Sequence, residues 1–218
     1  QLSESSDHYQ RGLRETILGN YEAAESEYSM AIAQQAPILI QYYFQRGNAR
    51  YLSKNFSGAI EDYTNVTNLD SKNAVAWTFK GVIQLNQDRY EDALNAVNRS
   101  IELNPKNEAV WNLKGIILNN LGRYEEALNA LNQSIEINPK DPSAWNNKGA
   151  TLVGMGRYEE ALSAFNQSIE INPKFEPAWN NRGADLTTSS RSIELVPKID
   201  PHGTTKAIII MPYRRIEK

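Results

Sequence analysis

EAVWNLKGIILNNLGRYEEALNALNQSIEINPKD, residues 108–141, is the stretch that fixes the fold class. Val110, Trp111, Leu113, Ile116, Ile117, Leu118 and Leu121 recur at helical spacing and predict a first amphipathic helix. Gly122-Arg123 breaks it, because a glycine at that point takes positive φ and closes a helix. Tyr124, Ala127, Leu128, Leu131, Ile135 and Ile137 mark a second helix. Asn138-Pro139 ends it, since proline lacks an N–H and biases its predecessor away from helix. Asp141-Pro142 restarts the cycle, with Asp as N-cap and Pro at the first helical position.

The unit is copied along the chain. Gly12, Gly47, Gly81, Gly115, Gly149 and Gly183 are separated by one gap of 35 residues and four of 34. Trp77, Trp111, Trp145 and Trp179 keep the 34-residue step, as do Tyr90, Tyr124 and Tyr158, then Ala93, Ala127 and Ala161, then Pro105, Pro139 and Pro173. A repeat of this length predicts an all-α array, which is first a surface for partners and only rarely a site for chemistry. A mid-helix glycine costs roughly 1 kcal/mol relative to alanine. Keeping one in six units predicts close helix approach, with Ala127 as the facing small residue and Trp111 and Tyr124 filling the space around it. Every unit has the aromatic columns, whereas a cofactor needs only one, so they are read as core packing and no cofactor is expected.

The pattern Trp-x2-(Lys)-Gly, followed by Tyr, Ala, Ser and Pro, resembles the tetratricopeptide repeat family. The likeness covers residues 5 to about 175 as five full units (5–39, 40–73, 74–107, 108–141, 142–175) and 176–198 as a partial sixth. It implies stacked antiparallel helix pairs in a right-handed superhelical solenoid over residues 1–198. It also implies a concave groove, lined by the first helix of each pair, that holds a peptide or a segment of another protein.

The ends depart from the pattern. His8 and Tyr43 stand where later units have Trp, and Glu15 and Arg50 occupy matching places, an expected pair between adjacent first helices. Such surface pairs contribute roughly 0–1 kcal/mol. His8 and His202 are lone histidines, read as structural or solvated rather than metal ligands. In the sixth unit Ser192-Ile-Glu-Leu-Val-Pro-Lys echoes Ser168-Ile-Glu-Ile-Asn-Pro-Lys after 24 residues instead of 34. About ten residues are missing, which reads as a truncated capping repeat or an irregular end. Residues 199–218 form a separate tail: Pro201, Gly203 and two Thr make a loop, and Ala207–Met211 is strand-like by propensity. Three readings of the tail stay open, in order of preference: a cover for the last helix, docking in a groove, or a link to a further domain.

Composition adds bounds. The chain has 218 residues, 40% hydrophobic and 22% charged, which is ordinary for a globular protein. A net charge of −3 argues against nucleic acid, whose partners carry excess Lys and Arg. The absence of cysteine excludes disulfides and thiolate metal sites. Ala207–Met211 is too short to span a bilayer, so no membrane insertion is expected. No signal peptide is visible, which favours a cytoplasmic location; a chain opening on Gln1 leaves a removed leader open.

Carried onto this sequence, the implied groove is lined by Tyr9, Leu13, Phe44, Asn48, Thr78, Phe79 and Val82 in the first three units. Asn112, Ile116, Asn119, Asn146, Asn147, Asn180 and Asn181 line it in the rest. Asparagine both donates and accepts, so it can hold the backbone of an extended, largely uncharged peptide, and the aromatic half can seat an apolar anchor. The alternative is that Asn is soluble filler on an unused face. Some members of the family grip a chaperone's C-terminal carboxylate with basic and amide residues spread over three units. No register of this chain puts a basic residue at those places, and a carboxylate needs charge-assisted donors. Clamp-type chaperone binding is therefore argued against.

Arg11, Arg46, Lys80, Lys114, Lys148 and Arg182 precede the repeat glycines. They read either as a ladder for an acidic partner or, preferably, as long stems over core surface whose charges reach toward Glu102, Glu136 and Glu170. Glu91-Asp92, Glu125-Glu126 and Glu159-Glu160 open second helices, where carboxylates suit the helix dipole. Adjacent helical residues point different ways, so these are not catalytic pairs. There is no P-loop, GxSxG, HExxH or cysteine nucleophile, and no enzyme is expected. The leading expectation is a protein-interaction scaffold. The alternative is a structural module that self-assembles through its ends or tail, and a third reading is an array cut from a larger enzyme.

Overall fold

A computed structural model describes residues 2–33 and 39–189. The sixth unit beyond Ser189 and the whole tail, including His202 and Ala207–Met211, lie outside these residues. Eleven α-helices and no strand occur among the described residues: α1 (Leu2–Ile17), α2 (Tyr21–Ala33), α3 (Leu39–Leu52), α4 (Phe56–Leu69), α5 (Ala74–Asn86), α6 (Tyr90–Leu103), α7 (Glu108–Asn120), α8 (Tyr124–Ile137), α9 (Pro142–Gly154), α10 (Tyr158–Ile171) and α11 (Glu176–Ser189). The chain divides into two compact units, Gln1–Ile117 and Leu118–Lys218, the boundary falling within α7. In the first, α1 packs on α2, α2 on α3, α3 on α4, α4 on α5 and α5 on α6. In the second, α8 packs on α9, α9 on α10, and α10 on α11.

The helix boundaries follow the local chemistry. Asp141 caps α9, its carboxylate accepting from the Ser143 N–H at 2.9 Å, and Pro142 takes the first turn. Asn55 and Asn73 cap α4 and α5 in the same way. The turn inside each pair needs left-handed backbone, which Gly19, Gly122 and Gly156 supply at φ 80°, 72° and 73°. Lys54 (φ 64°) and Asp88 (φ 57°) take that conformation in the other two pairs, at a steric cost glycine would not carry.

The repeat glycines do mark close approach, but they face different residues from those expected. A Cβ on Gly12, Gly81 or Gly149 would lie 2.5–2.6 Å from Tyr28, Val97 or Phe165, and on Gly47 3.2 Å from Tyr63. At Gly12, Gly47 and Gly149 the partner is thus an aromatic side chain of the second helix, while at Gly81 it is a Val97 methyl together with the carbonyl oxygen of Ala93, of the Ala127 column, at 3.3 Å. Tyr28, Tyr63 and Phe165 are fully buried and anchor three core clusters. In these three units glycine gives up side-chain volume so that a tyrosine or phenylalanine can cross between the helices.

Candidate functional site

The first helices carry the candidate surface, and α5, α7, α9 and α11 are each fastened by a tryptophan. The Trp77 Nε1–H donates to the Ser71 carbonyl at 3.1 Å, and Trp111, Trp145 and Trp179 donate to the carbonyls of Pro105, Pro139 and Pro173 at 2.9–3.0 Å. The indole thus ties each of these four helices to the exit turn of the unit before it. The basic column stacks on the same rings. Lys80, Lys114, Lys148 and Arg182 lie 4.4–5.4 Å from the centroids of Trp77, Trp111, Trp145 and Trp179, and Arg46 lies 5.5 Å from that of Tyr43. The quadrupole of the ring attracts the cation, and desolvation lowers the pKa of the Lys80 and Lys148 ammonium groups. The expected reach toward Glu102 and Glu136 is not what occurs: Glu102 accepts from Arg99 and Glu136 from Gln133. The acidic pairs opening the second helices take Arg partners instead, Asp92 with Arg89, Glu126 with Arg123 and Glu160 with Arg157.

In the first compact unit, the predicted groove residues are largely committed to packing. Tyr9 is buried, stacked on Tyr42 with centroids 4.9 Å apart, and its hydroxyl accepts from Gln41. Phe44 and Phe79 are half-buried and meet edge to face at 5.9 Å; Phe79 also stacks on Tyr63 at 5.1 Å. Asn48 accepts from the Tyr63 hydroxyl at 2.7 Å. The Thr78 hydroxyl donates to the Ala74 carbonyl and shares a 2.7 Å bond with Ser100. Leu13, Val82, Asn112 and Ile116 are half-buried. The structure therefore brings Phe44 and Phe79 together, both packed against the core cluster around Tyr63.

In the second compact unit the asparagines gather. Asn181 Nδ2 on α11 donates to Asn146 Oδ1 on α9 at 2.9 Å, and Asn146 Nδ2 reaches Asn147 Oδ1 at 3.5 Å. Asn146 is buried, Asn147 and Asn181 are half-buried, and Asn180 is exposed. Asn119 is half-buried, and its Oδ1 is buried with no hydrogen-bond partner among the described residues. This amide-to-amide link joins first helices two apart in the chain. The sequence alone does not reveal it, because the asparagine columns read there as groove lining or surface filler.

Sequence reasoning also missed a buried ion network. Asp62 has no solvent exposure and accepts from Arg46 Nε at 3.0 Å and from Arg50 Nη1 at 3.0 Å. Arg50 pairs with Glu25 at 2.8 Å, not with Glu15, which accepts from Asn20. Burial pushes the Asp62 carboxyl up, against the pull of the two guanidiniums. A signal for the network existed. Asp62 stands where later units have Ala96, Ala130 and Ala164, and Arg50 where they have Gln84, Leu118 and Leu152. The two departures sit in one unit and compensate each other. His8 meets Glu27 at 2.7 Å. Among the described residues no group of three or more His, Asp or Glu is placed to hold a metal ion, and no helix is long and apolar enough to cross a membrane.

Family models described as TPR repeat and tetratricopeptide repeat match residues 115–156, 51–117 and 142–175, together more than half of the chain. No curated protein matches it. Solved structures do. The MamA protein is 20% identical with a TM-score of 0.73, over 89% of this chain and 97% of that one. A tetratricopeptide repeat protein from Parabacteroides merdae is 18% identical with a TM-score of 0.80, over 88% and 76%. YrrB, described as a TPR protein with an unusual peptide-binding site, is 21% identical with a TM-score of 0.69, over 79% and 89%. At these identities the likeness is one of fold. With the Trp, Gly and Pro columns in place, helix packed on helix pair after pair, and the three family matches, the chain belongs to the tetratricopeptide repeat family.

Proposed function

We propose that this chain is a non-enzymatic protein-interaction scaffold that binds an extended, largely uncharged peptide or a helix along its first helices. In this reading residues 1–198 are the interacting array and residues 199–218 a distinct tail. The observation that carries the reading is the asparagine cluster of α9 and α11. The 2.9 Å bond between Asn181 and Asn146 fixes both amides before any ligand arrives. A side-chain amide has two donors and an acceptor with two lone pairs, so one such bond leaves most of the capacity of Asn181 for a peptide backbone. Asn180, exposed beside it, adds a second amide. Groups already held in place lose little freedom on binding, which favours affinity. In the first compact unit, Phe44 and Phe79 supply apolar surface without rearrangement.

The test is affinity capture from source-cell lysate with the full chain as bait, beside a variant carrying Asn112→Ala and Asn180→Ala. Both keep the Asn146–Asn181 link intact, and circular dichroism checks the fold. A partner held by the parent and lost by at least tenfold in the variant supports the reading. Equal capture by both, or capture by neither, sinks it.

A further inference from the structure

The last described helix has an open face. Elsewhere the second helix roofs the repeat glycine, leaving 2.5–3.2 Å between a Cβ on Gly12, Gly47, Gly81 or Gly149 and its neighbour. At Gly183 no described atom lies within 4 Å. Trp179 is 43% exposed, whereas Trp77, Trp111 and Trp145 are half-buried. The neighbouring helix shows the same opening. Leu128 of α8 is buried in a cluster with Ala161, Ala164 and Phe165 of α10. Leu162, its counterpart one unit on, lines an open depression of about 720 Å³ with Ile169, Pro173 and Arg182.

Residues 190–218 offer no proline-free run as long as the usual second helix. The second helices here are 13–14 residues long. Pro197, Pro201 and Pro212 cut residues 190–218 so that the longest proline-free run, 202–211, has ten residues, and proline breaks a helix interior. Nor can Ser192 repeat the role of Ser168, whose hydroxyl donates to the Pro142 carbonyl at the start of its unit at 2.7 Å. The matching carbonyl is that of Glu176, roughly 20 Å from Ser189 along a 14-residue helix. The three residues from Ser189 to Ser192 reach about 10 Å at most.

We propose that Ala207–Met211 of the same chain packs along α11, one of Ile208, Ile209 and Ile210 entering the notch over Gly183 beside Trp179. The matching notch over Gly81 is filled by a methyl of Val97, 2.6 Å from where a Cβ would be. Isoleucine carries the same branch at Cβ. The stretch from Ser189 to Ala207 extends to roughly 60 Å, three times the length of α11, so the segment returns to the helix without strain. A tethered segment acts at an effective concentration of about millimolar, which a second copy does not match in dilute solution. Repeat arrays also require their terminal apolar faces to be covered.

Hydrogen exchange of the full chain at two protein concentrations tests this, beside a variant carrying Ile208→Asp, Ile209→Asp and Ile210→Asp. The expected result is at least tenfold faster exchange of amides 182–189 in the variant, with α9 unchanged, and parent protection equal at both concentrations. Unchanged exchange on α11 overturns the proposal. Protection that grows with protein concentration also overturns it, assigning the face to a second copy. Gly183→Leu in the full chain is an independent arm. A docked segment makes the added side chain lower Tm, whereas a bare helix gains from losing a glycine, so a raised Tm overturns the proposal as well.

Discussion

Asp62 is the most consequential single residue of the first compact unit. It pairs with both Arg46 and Arg50, whose side chains are each 13% exposed. Removing it leaves two cations without their shared anion, and breaking a buried pair from one side costs about 3–5 kcal/mol. Asp62→Ala is expected to lower the urea midpoint by that much stability with an unchanged slope. Lys54 offers the opposite sign. Its left-handed backbone has no glycine to relieve it, so Lys54→Gly is expected to raise stability by about 0.5–1 kcal/mol in the same measurement. The second effect was half legible: aligning the units puts Lys54 and Asp88 in the column of Gly19, Gly122 and Gly156. The first was hidden, because a lone Asp in an amphipathic helix reads as solvated until its column is seen to be buried alanine.

Between elements, the indole bonds matter more than the helices' own propensities. Trp145→Phe keeps most of the apolar area but loses the donor to the Pro139 carbonyl at 3.0 Å. It also weakens the stacking of Lys148. A loss of about 1–2 kcal/mol is expected by thermal or urea unfolding. Ser168→Ala likewise removes the bond to the Pro142 carbonyl that pins α10 to the start of α9, at about 1 kcal/mol. Helix existence and ends were readable because Gly and Pro punctuate each unit. The contacts of the conserved-step residues were not, since a Trp N–H aimed at an irregular turn and a glycine facing a tyrosine leave no periodic trace. Matching small residues with small makes the Ala127 column the expected facing surface. Volume complementarity runs the other way, small against large.

At the scale of the molecule, an array whose repeats touch only neighbouring repeats responds locally to damage. Gly149→Ala forces a methyl to within 2.5 Å of Phe165 and is expected to cost about 2 kcal/mol. Exchange should quicken across α9–α11 while α3 and α5 keep their protection; uniform acceleration over the chain would contradict this. The indole bond has one more implication, for length. Trp to carbonyl spans six residues in each of four joints, so it acts as a gauge of the spacing between units, and an inserted residue there pulls donor from acceptor. The one step of 35 residues supports this. The extra residue falls between Tyr28 and Gly47, and the unit that follows carries Tyr43 where later units have Trp. Where no gauge is present the period drifts, and a single insertion between Pro139 and Trp145 should be far less tolerated than one between Ala33 and Leu39.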